Sequence, residues 1–347
     1  MKTKVLSFGE ILLRISPSIA KDSAPFLLYV GGAEANTATA LAAWNIPVAY
    51  CTVLPPDFMS KYIIEYLKNR GIDVNSITYS GKRVGVYYLD IDADLKSSVV
   101  YDRLDSSFSD IKPGMIDWDE VLQDVSWLNL TAISPALNQN TADVCLEALK
   151  ACSLKKITTS IDLNYRAKLW NYCKEPTEVM PDLVQHCDIV MGNIWAANSL
   201  LGTTLDQNIH TKGRRENYHE HAKLTSTEIM DKFPRCKSVA NTFRFDSDNN
   251  HLLYYTTLYN GDGLYTSPEY SAANVIDRSG SGDCFMAGLI YGFYNHHPAQ
   301  EILDFATAAA FGKLQEKGDS TQQDILAVST RLPGLLRPVK LNVADTP

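Results

Sequence analysis

Short apolar runs alternate with helical runs along most of this 347-residue chain, and that order constrains the fold more than any other feature. Residues 5–8, 48–53, 127–133, 157–163, 188–191 and 238–242 each read as a brief buried strand. Between them lie helical segments at 34–44, 59–69, 141–152, 177–186, 195–201 and 227–233. The order predicts an α/β fold: a mostly parallel sheet with helices on both faces. Ligands in such folds gather beyond the carboxyl ends of the strands. Two segments break the alternation. Residues 11–16 with 26–30, and 83–92 with 99–103, are strand-like with no helix between them. They predict antiparallel ribbons inserted into the α/β body, suited to covering a site as a lid, to extending an edge, or to meeting a second copy. The polar stretch 205–225 carries His210, His219 and His221 without the helical His and carboxylate spacing of a metal site, and is expected to be an exposed loop.

Composition narrows the partners. The chain is 45% hydrophobic, enough for a large core, and its net charge of −8 with no Lys/Arg block argues against nucleic acid or an anionic membrane. The run Lys212-Gly213-Arg214-Arg215 is too short to change this. Seven scattered cysteines with no Cys-x-x-Cys predict buried, reduced thiols in a cytoplasmic protein. The apolar start of the chain is interrupted by Glu10 and reads as a first strand rather than a signal peptide. No apolar run reaches membrane-spanning length.

One segment carries chemistry in its letters. Gly280-Ser281-Gly282-Asp283 stands directly before the apolar, small-residue run Phe285-Met286-Ala287-Gly288-Leu289-Ile290, which reads as a packed helix. A glycine-rich turn opening a helix presents free N–H groups and the positive end of the helix dipole, an arrangement that binds anions. A carboxylate among those donors is explained by proton abstraction from a hydroxyl that attacks a phosphate held beside it. A structural turn with a capping Asp would show the same four letters, so the rest of the chain must decide.

The common phosphate-binding alternatives are missing. There is no Gly-x-x-x-x-Gly-Lys-Ser/Thr, no His-Arg-Asp with Asp-Phe-Gly, and no Gly-x-Gly-x-x-Gly after the first strand. Near the start, Gly31-Gly32-Ala33-Glu34-Ala35-Asn36 lets backbone approach a small polar ligand, and Asn36 can both donate to and accept from sugar hydroxyls.

These two segments, Gly31-Gly32 with Asn36 and Asp277-Arg278-Ser279-Gly280-Ser281-Gly282-Asp283, resemble in order and separation the two signatures of the ribokinase-like, or pfkB, sugar kinases. The resemblance covers nearly the whole chain. Within that family the chain is most similar to the kinases of 2-dehydro-3-deoxygluconate, on the strength of Gly85-Val86-Tyr87, Val100-Tyr101-Asp102-Arg103, residues 131–137, Asp162-Leu163-Asn164-Tyr165-Arg166 and Gly318-Asp319.

The resemblance implies a ribokinase-like three-layer α/β/α domain over residues 1–340, with β-lid strands at about 11–31 and 83–104 and a tail at 341–347. It implies an ATP-dependent, magnesium-using phosphotransferase that acts on the terminal hydroxyl of a sugar acid to give the 6-phosphate. Asp283 would be the catalytic base and Gly280, Ser281 and Gly282 the anion hole. Gly32, Asn36, Tyr87, Tyr101, Arg103, Arg166 and Asp319 would bind the sugar, the two arginines by forked bonds to its carboxylate and keto oxygen. Asn164, Asn193 and Arg244 would face the nucleotide, and a homo-oligomer would form through the lid. The chain also departs from the family. The usual Asn-x-x-Glu reads Asn193-Ile194-Trp195-Ala196, so the acid that helps to organise magnesium is an alanine and the metal ligands stay unassigned. Two other readings remain: a kinase of another sugar such as fructose, and a non-catalytic ligand-binding descendant of the fold.

Overall fold

The computed structural model describes residues 3–17, 26–91, 97–212, 215–247, 251–272 and 275–332. The expected tail at 341–347 and parts of the two inserted ribbons lie outside them. The chain opens with β1 (Lys4–Phe8), β2 (Leu12–Pro17), β3 (Phe26–Gly31), α1 (Ala33–Ala43), β4 (Val48–Leu54), α2 (Phe58–Lys68) and β5 (Ile77–Tyr79). There follow β6 (Gly85–Ile91), β7 (Ser97–Asp102), α3 (Trp118–Val121), β8 (Val125–Thr131), α4 (Gln139–Lys155), β9 (Thr158–Asp162), α5 (Pro176–Val184), β10 (Ile189–Gly192) and α6 (Ile194–Leu201). The last part holds α7 (Ile209–Lys212), α8 (Arg215–Lys232), β11 (Ser238–Ser247), β12 (His251–Tyr259), β13 (Leu264–Thr266), β14 (Tyr270–Ala272), α9 (Ser281–Tyr294), α10 (Ala299–Lys313) and α11 (Ile325–Ser329).

Among the described residues the main sheet runs β13-β12-β11-β10-β9-β8-β1-β4-β5, with β14 also on β12. Every pairing from β5 to β11 is parallel, and β12 to β14 add an antiparallel edge. One apolar layer packs α1, α2, α9 and α10 on one face, and a second packs α4, α5, α6 and α8 on the other. The α/β class with a mostly parallel central sheet is therefore as the alternation predicted. The two ribbons join into one separate four-stranded sheet, β3-β2-β6-β7, through a parallel contact of β2 with β6.

Local chemistry sets several boundaries. Asn138 caps α4 in a reciprocal box with Thr141, and Lys156 ends it in the left-handed conformation. Asn193 begins α6 by accepting from the Ala196 N–H at 2.8 Å. The expected loop at 205–225 is instead α7 and most of α8. Tyr218, Ala222, Ser226 and Ile229 form a buried stripe at helical spacing, and His221 is buried with them. Polar members hide that stripe from a hydrophobicity reading, and tertiary packing overrides it. The strand expected at 238–242 runs on to Ser247 and turns back as β12, a hairpin the alternation did not reveal. All seven cysteines are free, as expected, but Cys173 is exposed rather than buried. No helix among the described residues is long and apolar enough to cross a membrane.

Helices α9 and α10 approach closely in the core: a Cβ on Gly288 would stand 2.4 Å from the Ala306 Cα. Gly288→Ala sets a helix-propensity gain of about 1 kcal/mol against overpacking that costs about 1–3 kcal/mol, and the clash is with backbone that cannot rotate away. A net loss of about 1 kcal/mol or more is expected, read as a lower urea midpoint at unchanged slope. A raised midpoint would show that the two helices separate without penalty.

Candidate active site

Beyond the carboxyl ends of β1, β8, β9, β10 and β11 lies a cavity of about 1180 Å³. One wall is the four-stranded sheet, which contributes Leu12, Tyr87, Leu89, Val99 and Tyr101. Another is the turn that opens α9. Every residue assigned a site role from the sequence lines this one cavity: Asp283, the turn Gly280-Ser281-Gly282, Gly32, Asn36, Tyr87, Tyr101, Arg103, Arg166, Asp319, Asn164, Asn193 and Arg244.

The turn is held from behind. Gly280 has φ +77°, and a Cβ there would stand 1.7 Å from the Asp319 carbonyl oxygen, so only glycine fits in both conformation and space. The Asp277 carboxylate accepts from the Ser279 N–H at 2.9 Å and from the Gly318 N–H at 3.2 Å. The N–H groups of the first turn of α9, beginning at Ser281, thus start at a fixed backbone corner and face the cavity.

Asp283 is the third residue of that helix and is buried. Its Oδ2 accepts from Asn36 Nδ2 at 2.7 Å, and Asn36 Oδ1 in turn accepts from the Ser320 hydroxyl at 2.9 Å. Burial lifts the Asp283 carboxyl to about 6, against the pull of the Asn36 bond and of Arg166. Glu10, Glu34, Asp162 and Asp319 are further buried carboxylates that line the same cavity. Glu34 accepts from the Thr131 N–H and hydroxyl at 3.0 and 2.7 Å, and burial lifts it to about 7. The space for its head exists because residue 9 is glycine: a Cβ there would stand 2.2 Å from Glu34 Cδ. Asp162, at the end of β9, is raised well above the carboxylate range by burial and then by the Asp283 charge, with Arg166 opposing.

The arginines differ from one another. Arg103 was expected to offer its fork to a sugar carboxylate, but its Nε and Nη2 both go to Glu10 at 2.5 Å, and Glu10 also accepts from Ser106. Arg166 is exposed within the cavity mouth, with one bond from Nη1 to the Tyr165 carbonyl at 3.0 Å. Tyr87 donates to Asp319 at 2.5 Å and its ring lies 6.5 Å from that of Tyr101. Asn193 spends its side-chain oxygen on the α6 cap, and Ala196 lines the cavity with no oxygen to offer. Sequence reasoning gave no role to Glu10, Arg14, Glu34, Asp162 or Asp277. The signal for Glu10 was a charge within an apolar strand run, which was used only against a signal peptide.

Comparison with known proteins agrees with this geometry. The profile of the pfkB family carbohydrate kinases matches residues 2–325. The solved structure of 2-dehydro-3-deoxygluconokinase from Thermotoga maritima is 31% identical, covers 94% of this chain and 98% of its own, and superposes with a TM-score of 0.85. A 5-dehydro-2-deoxygluconokinase from Geobacillus thermodenitrificans is 25% identical over 84% of this chain and 80% of its own length. A 2-dehydro-3-deoxygalactonokinase from Haloferax volcanii is 23% identical over 92% of this chain and 93% of its own. With the fold, the glycine turn and these matches in agreement, the chain belongs to the pfkB family of carbohydrate kinases.

Proposed function

We propose that this sugar kinase transfers the γ-phosphoryl group of ATP to the terminal hydroxyl of 2-dehydro-3-deoxygluconate, giving the 6-phosphate. The observation that carries the reading is the Asp283 carboxylate, buried and oriented by Asn36, one residue after the glycine turn in a cavity that Arg166 also lines. All three relatives above are named as kinases of dehydro-deoxy sugar acids. Arg166 supplies the cation that such a carboxylate needs, while Tyr87, Tyr101 and Asp319 meet the sugar from the side of the four-stranded sheet. Arg103 then acts through Glu10, shaping the wall rather than taking the carboxylate.

In the reaction Asp283 takes the proton of the terminal hydroxyl as that oxygen attacks the γ-phosphorus in line. The bond to the bridging oxygen of ADP breaks, and the N–H groups of the 280–282 turn receive the charge that builds on the phosphoryl oxygens. Asn193, Asn164 and Arg244 line the cavity toward the nucleotide. Magnesium, when bound with ATP, supplies charge neutralisation on the phosphates. It takes one or two carboxylates with phosphate and water oxygens. Asp162 fits that donor set: it is a buried carboxylate in the cavity wall, its proton affinity raised first by burial and then by the Asp283 charge, which a cation would offset. On the same reading residues 1–340 form one kinase domain. The four-stranded sheet is its lid, and exposed Phe26, Leu27, Tyr88 and Val100 on that sheet are the face for a second copy. The absent acid at Ala196 favours one rival, a ligand-binding descendant without catalysis.

A phosphoryl-transfer assay with magnesium–ATP over a panel of sugar acids and neutral ketoses separates these readings. Highest kcat/KM is expected with 2-dehydro-3-deoxygluconate, and Asp283→Asn should lower kcat by roughly 10²–10⁴-fold. Arg166→Ala should raise KM for the acid by roughly tenfold, the loss of one charged hydrogen bond, with little change for a neutral sugar. Preference for fructose would move the assignment to the ketose, and no turnover with any sugar would favour the non-catalytic rival.

The base must be ionised to work, so kcat/KM should fall as pH drops below about 6, where Asp283 gains its proton. Glu34, at about 7, protonates first on the way down and removes a neighbouring negative charge, so the acid limb belongs to the pair. Asn36→Leu removes the bond that favours the Asp283 anion and should move the limb toward neutral pH. A limb that stays in place in this variant would take Asn36 out of the control of the base.

A further inference from the structure

Arg14 has no part in the reaction described above, yet it is buried where the two halves of the cavity meet. It sits on β2 of the four-stranded sheet, its side chain 3% exposed. Its Nη1 donates at 2.8 Å to Asp277 and at 2.8 Å to Asp319, its Nε donates to Ser16 at 2.8 Å, and its guanidinium lies over the Tyr29 ring at 4.9 Å. Each carboxylate leads to a different subsite. Asp319 accepts the Tyr87 hydroxyl on its other oxygen, and its own carbonyl backs Gly280. Asp277 holds the Ser279 N–H of the phosphate turn and the Gly318 N–H.

One planar cation thus ties a wall of the sugar site to the backbone corner that aims the anion hole. A buried ion pair resists rearrangement, because moving one partner leaves an uncompensated charge in a dry place. A sugar that draws Tyr87 and Asp319 inward must therefore carry Arg14 and Asp277 with it. We propose that Arg14 is a positioning residue that couples the two subsites, so that sugar bound against Tyr87 and Asp319 tightens nucleotide binding at the 279–282 turn, and the reverse. The inference rests on the functional reading above. By linkage the effect is the same in both directions.

Calorimetry tests it, with the non-hydrolysable analogue AMP-PNP and magnesium titrated into the enzyme, alone and saturated with 2-dehydro-3-deoxygluconate or whichever sugar the panel selects. In the wild type the sugar should lower the nucleotide Kd by about tenfold. Arg14→Lys keeps a charge but loses the planar fork. Asp277→Asn keeps an acceptor for Ser279 but breaks the ion pair. Each should cut the coupling to about twofold or less, with binary affinities altered much less, and the double variant should lose no more than either single one. Thermal melts confirm that each variant is folded. Full coupling in both folded variants would overturn the role of Arg14. A wild type that turns over sugar but shows no coupling would overturn it while leaving the functional reading intact. Absence of both turnover and nucleotide binding would overturn the functional reading and this inference together.

Discussion

The site depends on burying six carboxylates around one cavity with only two buried guanidiniums to meet them. Glu10, Glu34, Asp162, Asp277, Asp283 and Asp319 are all buried, as are Arg14 and Arg103. The arginines take three of the acids: Arg103 pairs Glu10, and Arg14 pairs both Asp277 and Asp319. The other three, Glu34, Asp162 and Asp283, make no ion pair among the described residues; the charges of Arg166, Arg103 and Lys313 reach them only through space. The site therefore divides into a neutralised frame and an acidic centre. The frame fixes walls and turns. The centre is where burial raises proton affinity, and a group that must take a proton and then release it belongs there. The centre also sets a sign for stability. Glu34 and Asp283 bind protons more tightly folded than unfolded, so what they contribute is present at low pH. It is lost as pH rises from the ordinary carboxylate range through about 6 and 7.

Backbone shape and side-chain charge are settled together at these positions. The Glu34 head occupies the volume that a side chain at residue 9 would take, and the Asp319 carbonyl occupies the volume of a side chain at residue 280. The glycines at the strand end and at the turn thus do two things at once. They let the chain turn, and they admit an acid or its backbone to a place that no other residue would leave open.

The alternation of runs was legible because parallel strands buried on both faces read as continuous apolar stretches, and helices packed on them keep their period. It failed where burial was polar. Helix α8 faces the core through Tyr218, His221, Thr225 and Ser226, and the alternation of strand and helix runs did not mark β12 as the antiparallel partner of β11. Within the site, the residues carried by the two glycine motifs were legible because local spacing defines them. The frame was not. Arg14 meets partners 263 and 305 positions away, and Arg103 meets Glu10 across 93. A single sequence shows that each is charged and nothing of whom it faces, which is why Arg103 was given to the sugar when its fork belongs to Glu10.

The same division bears on how one frame can serve different sugars. A frame acid or arginine cannot change alone, since the partner left behind would be a buried, unpaired charge. Residues at the cavity mouth carry no such constraint. Arg166 stands after β9, exposed, and donates to the neighbouring Tyr165 carbonyl. Substitution at such places alters what the cavity holds without disturbing what holds the cavity. Sugar choice is then expected to lie in exposed loops such as the one that carries Arg166.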